Sequence, residues 1–430
     1  LGSGAMTSSS RDIGDARCIL AIGTNTTAAH PIIGLQVMRA VRQGGKLIVI
    51  NPREIELAAH ADLFLQHRPG SDVALLMGMM RVIVEEGLHD EAYIAARCED
   101  FEGLKESLAQ YTDAAVEEKT GVPFARIAEA ARMYARNSPA AILYAMGITQ
   151  HTHGTDNVLA VSNLALLTGN VGLPSGGVNP LRGQSNVQGA CDMGALPTVY
   201  PGYQKVDLPE VKEKFEKAWG VELDGAPGLT HLEILRGVHS GPIKAIYLVG
   251  ENPALSEADA NHAREAMKQC DFLVVQDIFL TESAEYADVV LPAASFAEKD
   301  GTFTNTERRV QRVRKVIEPV GDCRDDAWIT CEIAKRMGEE GFDFGTADEI
   351  MSEIAALTPI YGGITHDRIE KDGLQWPCPD ASHPGTRFLH GETCPRPNGK
   401  VRFFALDYRP PAEEPDKEYP LVLTTERSLY

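Results

Sequence analysis

The sequence has 430 residues, 41 basic and 61 acidic, for a net charge of −20, and 43% of it is hydrophobic. At roughly 150 residues per domain this length provides for about three domains, each able to bury its own core. No run of about 18 apolar residues occurs, which argues against a membrane-spanning helix. The acidic balance argues against a general nucleic-acid binder, which needs a basic field to neutralise phosphates. A phosphate-bearing cofactor remains compatible, because backbone amides can bind it without net charge.

The chain opens in a Gly-rich turn, Leu1-Gly2-Ser3-Gly4, and then alternates strand and helix. Cys18 to Ile22 reads as a buried strand ending in Gly23-Thr24-Asn25, and residues 31–43 have helical spacing. Lys46 to Ile50 is a second strand, ended by Asn51-Pro52-Arg53, and Ala61 to Leu65 a third. A strongly apolar helix is predicted from Ala74 to Glu86, capped by Ser71 or Asp72. Two more helices are predicted before a strand at Ala140 to Ala145. This order implies a mainly parallel sheet covered by helices.

The stretch from 240 to 292 repeats the scheme. Ile246 to Val249 runs into Gly250-Glu251-Asn252, Phe272 to Val275 into Gln276-Asp277, and a last strand into Leu291. Gly23 to Asp62 and Gly250 to Asp288 are nearly equal spans with the same order: strand, G-x-N, helix, strand, polar turn and Ala-Asp-apolar strand. Two similar nucleotide-binding lobes are expected, although βαβ units resemble one another in any case. Residues 378–400 and 409–420 read as loop and connector, and Leu421 to Thr425 as a strand. That strand stands just before Ser428-Leu429-Tyr430, so the sequence is expected to be part of a longer protein.

Eight cysteines stand at 18, 98, 191, 270, 323, 331, 378 and 394, none in a C-x-x-C pair. The spacing argues against a zinc or iron–sulfur site within this chain and against a disulfide scaffold, and favours cytoplasmic thiols.

In an open α/β sheet, ligands bind beyond the C-terminal ends of the strands. Gly23-Thr24-Asn25, Asn51-Pro52-Arg53, Gly250-Glu251-Asn252 and Gln276-Asp277 therefore lie on candidate rims, although a turn needs glycine anyway. The sequence has no Walker A motif and no G-x-G-x-x-G after a strand, which argues against ordinary ATP and NAD sites. In Pro69-Gly70-Ser71-Asp72 the aspartate either caps a helix or accepts two hydrogen bonds from a guanine. Met146-Gly147-Ile148-Thr149-Gln150 reads as a strand end leading to His151 and His153, which would share a face in a strand but have no third metal ligand nearby. Gly169 to Gly194 reads as one long loop of Gly, Asn, Gln and Pro with a single cation, Arg182. A lone arginine there suits bidentate binding of a carboxylate, or is a surface residue on a solvated loop. Cys191 is expected to be a buried structural thiol rather than a nucleophile.

These residues resemble a known family, the molybdenum- or tungsten-dependent formate dehydrogenases of the bis-pterin, dimethyl-sulfoxide-reductase-like oxidoreductases. The resemblance rests on Gly23-Thr24-Asn25 with His30-Pro31, Asn51-Pro52-Arg53, Pro69 to Asp72 and Met146 to Gln150. It continues through Leu166 to Asn170, Asn179-Pro180-Leu181-Arg182-Gly183-Gln184, Asn186 to Gly194, Val275 to Phe279 and Ala287 to Pro292. The resemblance implies an α/β fold of two Rossmann-like lobes, with mainly parallel sheets and helices on both faces. Residues 1–184 and 185–300 would be the two dinucleotide-binding lobes. Residues 301–408 would be a connecting region, and 409–430 the linker to a C-terminal barrel.

Two molybdopterin guanine dinucleotides are implied, with molybdenum or tungsten held by four dithiolene sulfurs. The implied cofactor-binding residues are Gly23, Thr24, Asn25, Asn51, Pro52, Arg53, Gly70, Asp72, Met146, Gly147, Gln150, Gln184, Gly250, Glu251, Asn252, Gln276, Asp277 and Thr281. Arg182 would be the catalytic residue that orients formate for oxidation to carbon dioxide, and no residue of this chain is implied as a metal ligand. Where the family often has Asp-Pro-Arg, this chain has Asn51-Pro52-Arg53. The family's 4Fe–4S domain, and a Cys or selenocysteine ligand followed by His, are expected upstream of Gly2. This segment alone is therefore expected to be inactive. Implied partners are formate and carbon dioxide as substrate, and iron–sulfur or diaphorase subunits for electron transfer, with no nucleic acid and no membrane span. Competing readings are a non-catalytic respiratory-complex subunit of similar fold, and another oxyanion oxidoreductase of the same family.

Overall fold

The computed structural model describes residues 4–425, and their contacts group into two units. The first runs to Ser185 and takes up 306–308 and the stretch from Thr386 onward; the second holds 186–305 and 309–385.

In the first unit five parallel strands lie in the order Leu63–Leu65, Lys46–Ile50, Cys18–Ile22, Ala140–Tyr144, Gly177–Pro180. All five residues of Cys18–Ile22 are buried, as a strand covered on both faces requires. Cys18, Leu20 and Ile22 pack in one core with helices Asp72–Glu85 and Gly154–Leu167, while Ile19 and Ala21 pack in another with helix Pro31–Arg42. The period-two alternation of side chains thus feeds two helical layers from one apolar run.

Burial pushes the Cys18 thiol up to about 12. Cys18 is therefore expected to resist iodoacetamide at pH 8 in the native protein, while half-buried Cys270 and Cys323 are labelled. Peptide mapping of the labelled thiols checks this, and equal labelling of all three would contradict it.

Three local expectations need correction in this unit. Helix Asp72–Glu85 begins without a side-chain cap bond, because the Ser71 hydroxyl donates to the Arg68 carbonyl and Asp72 is already inside the first turn. Four helices rather than two fill 91–136: Glu91–Arg97, Phe101–Leu108, Asp113–Thr120 and Phe124–Arg136. Left-handed Asp100 and Gly121 and the Thr112 cap interrupt what reads as a longer helical pattern. Residues 421–425 form no strand; Leu421 and Leu423 are exposed, and no described strand supplies them a ladder.

The long Gly/Asn/Pro run is also not a single loop. Gly177–Pro180 is the fifth strand and Val187–Asp192 a helix. The buried Asn170 side chain makes this possible: its Oδ1 accepts from the Ala140 N–H at 2.8 Å and the Ser138 hydroxyl at 3.0 Å, tying the run to the start of the neighbouring strand.

The second unit has a three-stranded parallel sheet in the order Val289–Pro292, Phe272–Asp277, Ala245–Val249. It also has an antiparallel sheet of Gly301–Thr304, Arg309–Val313 and Leu374–Gln375. The internal repeat extends to single hydrogen bonds. The Asp62 carboxylate accepts from the Leu47 N–H at 2.9 Å, and Asp288 accepts from the Leu273 N–H at 2.8 Å. Gly23 donates to the Ile50 carbonyl and Gly250 to the Gln276 carbonyl, both glycines in the left-handed region. Each is followed by a four-residue helical turn, Thr26–Ala29 or Pro253–Ser256.

Candidate functional site

In the first unit the strand order reverses at Cys18–Ile22, which has Lys46–Ile50 on one side and Ala140–Tyr144 on the other. A ligand crevice is expected where the C-terminal ends of the diverging strands meet, which is at Gly23 and Gly147. The two touch through their backbones: the Gly147 N–H donates to the Gly23 carbonyl at 3.1 Å. A Cβ on Gly23, whose φ is +58°, would lie 2.7 Å from the Gly147 carbonyl carbon. Gly23→Ala is therefore expected to cost about 3 kcal/mol, from the left-handed backbone and the forced separation together. Chemical denaturation measures it, and an unchanged midpoint would refute the close approach.

The residues around this contact are polar and differently exposed. Thr24 is buried, and its hydroxyl has no hydrogen-bond partner among the described residues. Asn25 precedes the 26–29 turn, and its Oδ1 lies 3.4 Å from the Thr27 hydroxyl. Asn51 Oδ1 accepts from the Arg53 N–H at 3.0 Å, and Pro52 presents its carbonyl to Gln66. Met146, Gly147 and Gln150 are exposed and belong to a short helical turn, Met146–Thr149, that follows the strand. That turn corrects the extended reading of this stretch. His151 and His153 lie beyond it with ring centroids 6.1 Å apart, and no three His, Cys, Asp or Glu among the described residues could hold a metal. Burial holds His153 below its ordinary pKa.

Gly70 lies at a φ of +78°, and a Cβ there would meet the Pro411 ring at 2.4 Å. Asp72 is 2% exposed and pairs with His67 Nε2 at 3.0 Å, so one carboxylate oxygen is already engaged inside the fold.

Arg182 follows strand Gly177–Pro180 and is half-buried. Its backbone N–H donates to the Thr306 hydroxyl at 3.0 Å, and its carbonyl accepts from His30 Nε2 at 3.0 Å. One guanidinium nitrogen donates to the Gly4 carbonyl at 2.7 Å. Burial raises the nearby Tyr144 phenol to about 12, against the opposing effect of the Arg182 charge. Gln184, two residues on, is exposed. Thr306 is not among the residues singled out in sequence, and its distance from Arg182 along the chain leaves no local signal.

At the second rim Gly250 and Glu251 are exposed, and a Cβ on Gly250 would meet open space. Asn252 and Gln276 are engaged internally. Asn252 bonds both the N–H and hydroxyl of Ser283 and the Glu282 carboxylate; Gln276 bonds Tyr247 and, at 2.6 Å, Asp326. Asp277 caps the Phe279 N–H at 3.0 Å. The buried hydroxyl of Thr281 has no partner among the described residues, as at Thr24. Cys191 is half-buried, which corrects the expectation of a buried thiol: its helix, Val187–Asp192, turns Gln188 and Asp192 inward instead.

The family model described as molybdopterin oxidoreductase matches residues 2–336. The chain is 50% identical over its full length to F420-dependent formate dehydrogenase 1 subunit alpha of Methanococcus maripaludis, of which it covers 63%. It is 49% identical to the F420-dependent formate dehydrogenase subunit alpha of Methanocaldococcus jannaschii, again covering 63%, and 43% identical to formate dehydrogenase H of Escherichia coli, covering 60%. The chain thus spans about three-fifths of the length of these relatives. Among solved structures, acetylene hydratase from Pelobacter acetylenicus shares the fold at a TM-score of 0.71 and 24% identity, over 94% of this chain and 60% of that one. Among the described residues no helix is long and apolar enough to cross a membrane. With a family match over residues 2–336, a range that contains both parallel sheets, the chain belongs to the molybdopterin oxidoreductase family.

Proposed function

We propose that this chain is the central part of the catalytic subunit of a formate dehydrogenase, which interconverts formate and carbon dioxide and passes the electrons to a partner subunit. The observation that carries the reading is the match to formate dehydrogenase α subunits along the entire chain. The family implies molybdopterin with molybdenum or tungsten. That two guanine dinucleotide forms bind, one at each rim, is part of the proposal.

The first rim fits such a group. Its Gly23–Gly147 contact admits no side chain, and the buried Thr24 hydroxyl is left for a phosphate oxygen. Asn25, Asn51, Pro52, Arg53, Gly70, Met146, Gly147, Gln150 and Gln184 are proposed to line it, with Asp72 entering through the carboxylate that His67 already holds. At the second rim Gly250, Glu251, Asn252, Gln276, Asp277 and the unpartnered Thr281 hydroxyl take the equivalent place. When bound, the group supplies a two-electron redox centre. The chain's own part is to hold the carboxylate of formate on the Arg182 guanidinium, whose fork geometry and charge fix both oxygens.

Relatives at 47–50% identity carry F420 in their names, so F420 is proposed as the terminal acceptor, reached through 4Fe–4S clusters outside this chain and an iron–sulfur or diaphorase subunit. A cytoplasmic location belongs to the same proposal; cysteines that form no disulfide among the described residues support it. The test uses the full-length subunit with its partners. Formate-dependent reduction of a viologen dye and of F420 is expected, with molybdenum or tungsten and two guanines released per metal. Active preparations without either metal or pterin would overturn the reading.

A further inference from the structure

Among the described residues, 306–308 group with the first unit, although the chain on either side of them groups with the second. Each of the three side chains has a defined task there. The Thr306 hydroxyl accepts from the Arg182 N–H at 3.0 Å and donates to the Pro180 carbonyl at 3.2 Å, so it closes the backbone turn that presents Arg182. Glu307, 5% exposed, accepts through one oxygen from the Ser9 hydroxyl at 2.6 Å and from the Ser10 N–H and hydroxyl at 2.7 and 2.6 Å. Arg308, fully buried, donates to the carbonyls of Met6, Thr386 and Arg387 at 2.8, 2.9 and 3.1 Å.

The same short segment therefore grips two things. Glu307 and Arg308 fix residues 6–10, and the Arg182 guanidinium reaches back to Gly4, two residues before Met6. Thr306 fixes the other end of the Arg182 side chain, at its backbone. His30 completes the hold by donating to the Arg182 carbonyl. Both backbone polar groups of Arg182 thus end on side chains rather than on a sheet ladder, so Thr306 and His30 hold the backbone from which the guanidinium extends.

We infer that Thr306 is a positioning residue for Arg182: its hydroxyl sets the backbone from which the guanidinium meets the substrate carboxylate. The inference rests on the reading of Arg182 as the formate-binding residue and deepens it. A group that only shapes the turn acts on the reaction through the placement of the guanidinium, and so first through how tightly the carboxylate is held.

The test compares Thr306→Val, which keeps the shape and removes the hydroxyl, with Thr306→Ser, which keeps the hydroxyl, in the full-length enzyme. Thr306→Val is expected to lower kcat/KM for formate about tenfold, mainly through KM, and to raise the inhibition constant of nitrate, a planar oxyanion, by a similar factor. Metal and guanine content should stay at the wild-type level. Thr306→Ser is expected to restore both constants to within about twofold. If Thr306→Val does not fold, Thr306→Ala against Thr306→Ser gives the same comparison. Equal constants in wild type and the hydroxyl-free variant overturn the inference, as does equal impairment of both variants, or loss of metal in the Val variant. A wild-type enzyme that does not oxidise formate overturns the functional reading, and this inference with it.

Discussion

Arg182→Lys in the full-length enzyme is expected to lower kcat/KM for formate by about 100-fold, close to 3 kcal/mol of transition-state stabilisation, with metal and guanine content unchanged. The charge survives this change; the geometry does not. One guanidinium nitrogen of Arg182 is held by the Gly4 carbonyl, and both backbone polar groups are held by Thr306 and His30. A planar fork presents paired N–H donors that match a carboxylate, whereas an ammonium is a point charge on a flexible stem. Arg182→Ala removes the charge as well and is expected to cost about 1,000-fold. Steady-state kinetics with formate, read alongside nitrate inhibition, separate lost binding from lost orientation. Unaltered kcat and KM in the Lys variant would remove Arg182 from the proposed site.

Much of the framework is legible in the sequence because its strands are buried on both faces. Cys18–Ile22, Lys46–Ile50 and Ala140–Tyr144 are short runs that are apolar apart from Lys46, and the first two stop at Gly23 and Asn51. The repeat is legible for the same reason, and the structure repeats it down to Asp62 on Leu47 and Asp288 on Leu273. Gly177–Pro180 is not legible. Its composition is that of a turn, and it is a strand only because Ala140–Tyr144 offers an open edge and Asn170 ties the preceding chain to it.

The candidate site divides along a similar line. Gly23 and Gly147 are identifiable by position after a strand, and their mutual contact explains why both are glycine. The internal engagement of Asn252 and Gln276 is not visible in the motifs, since Ser283, Tyr247 and Asp326 lie far along the chain. Thr306, Glu307 and Arg308 carry no motif of their own; their significance depends on which carbonyls and N–H groups the fold leaves within reach.

Asp192→Ala is expected to destabilise the second unit by about 4 kcal/mol, a fall of the order of 10 °C in its Tm, while Asp192→Asn costs about 1 kcal/mol. Asp192 has no exposed surface, and its two oxygens accept four hydrogen bonds. Oδ1 takes Gln188 at 2.9 Å and the Tyr203 hydroxyl at 2.8 Å; Oδ2 takes the Tyr361 hydroxyl and the Trp376 indole N–H, both at 2.7 Å. Alanine leaves these donors facing a cavity. Asparagine can keep Tyr361 and Trp376 on its oxygen and turn its amide toward Tyr203 and the Gln188 side chain, whose Oε1 has no partner among the described residues.

Burial outweighs the four donors and raises the Asp192 pKa above its ordinary 3.8. A carboxyl group with a raised folded pKa contributes stability that is full below 3.8 and is lost as the pH rises through the folded value, so this residue alone makes stability fall with pH in that window. Asparagine does not titrate, so Asp192→Asn is expected to remove that contribution and narrow its deficit as the pH rises. Urea denaturation of wild type, Asp192→Ala and Asp192→Asn between pH 4 and 8 measures both effects, and an Ala variant within 1 kcal/mol of wild type would show that Asp192 does not organise this core.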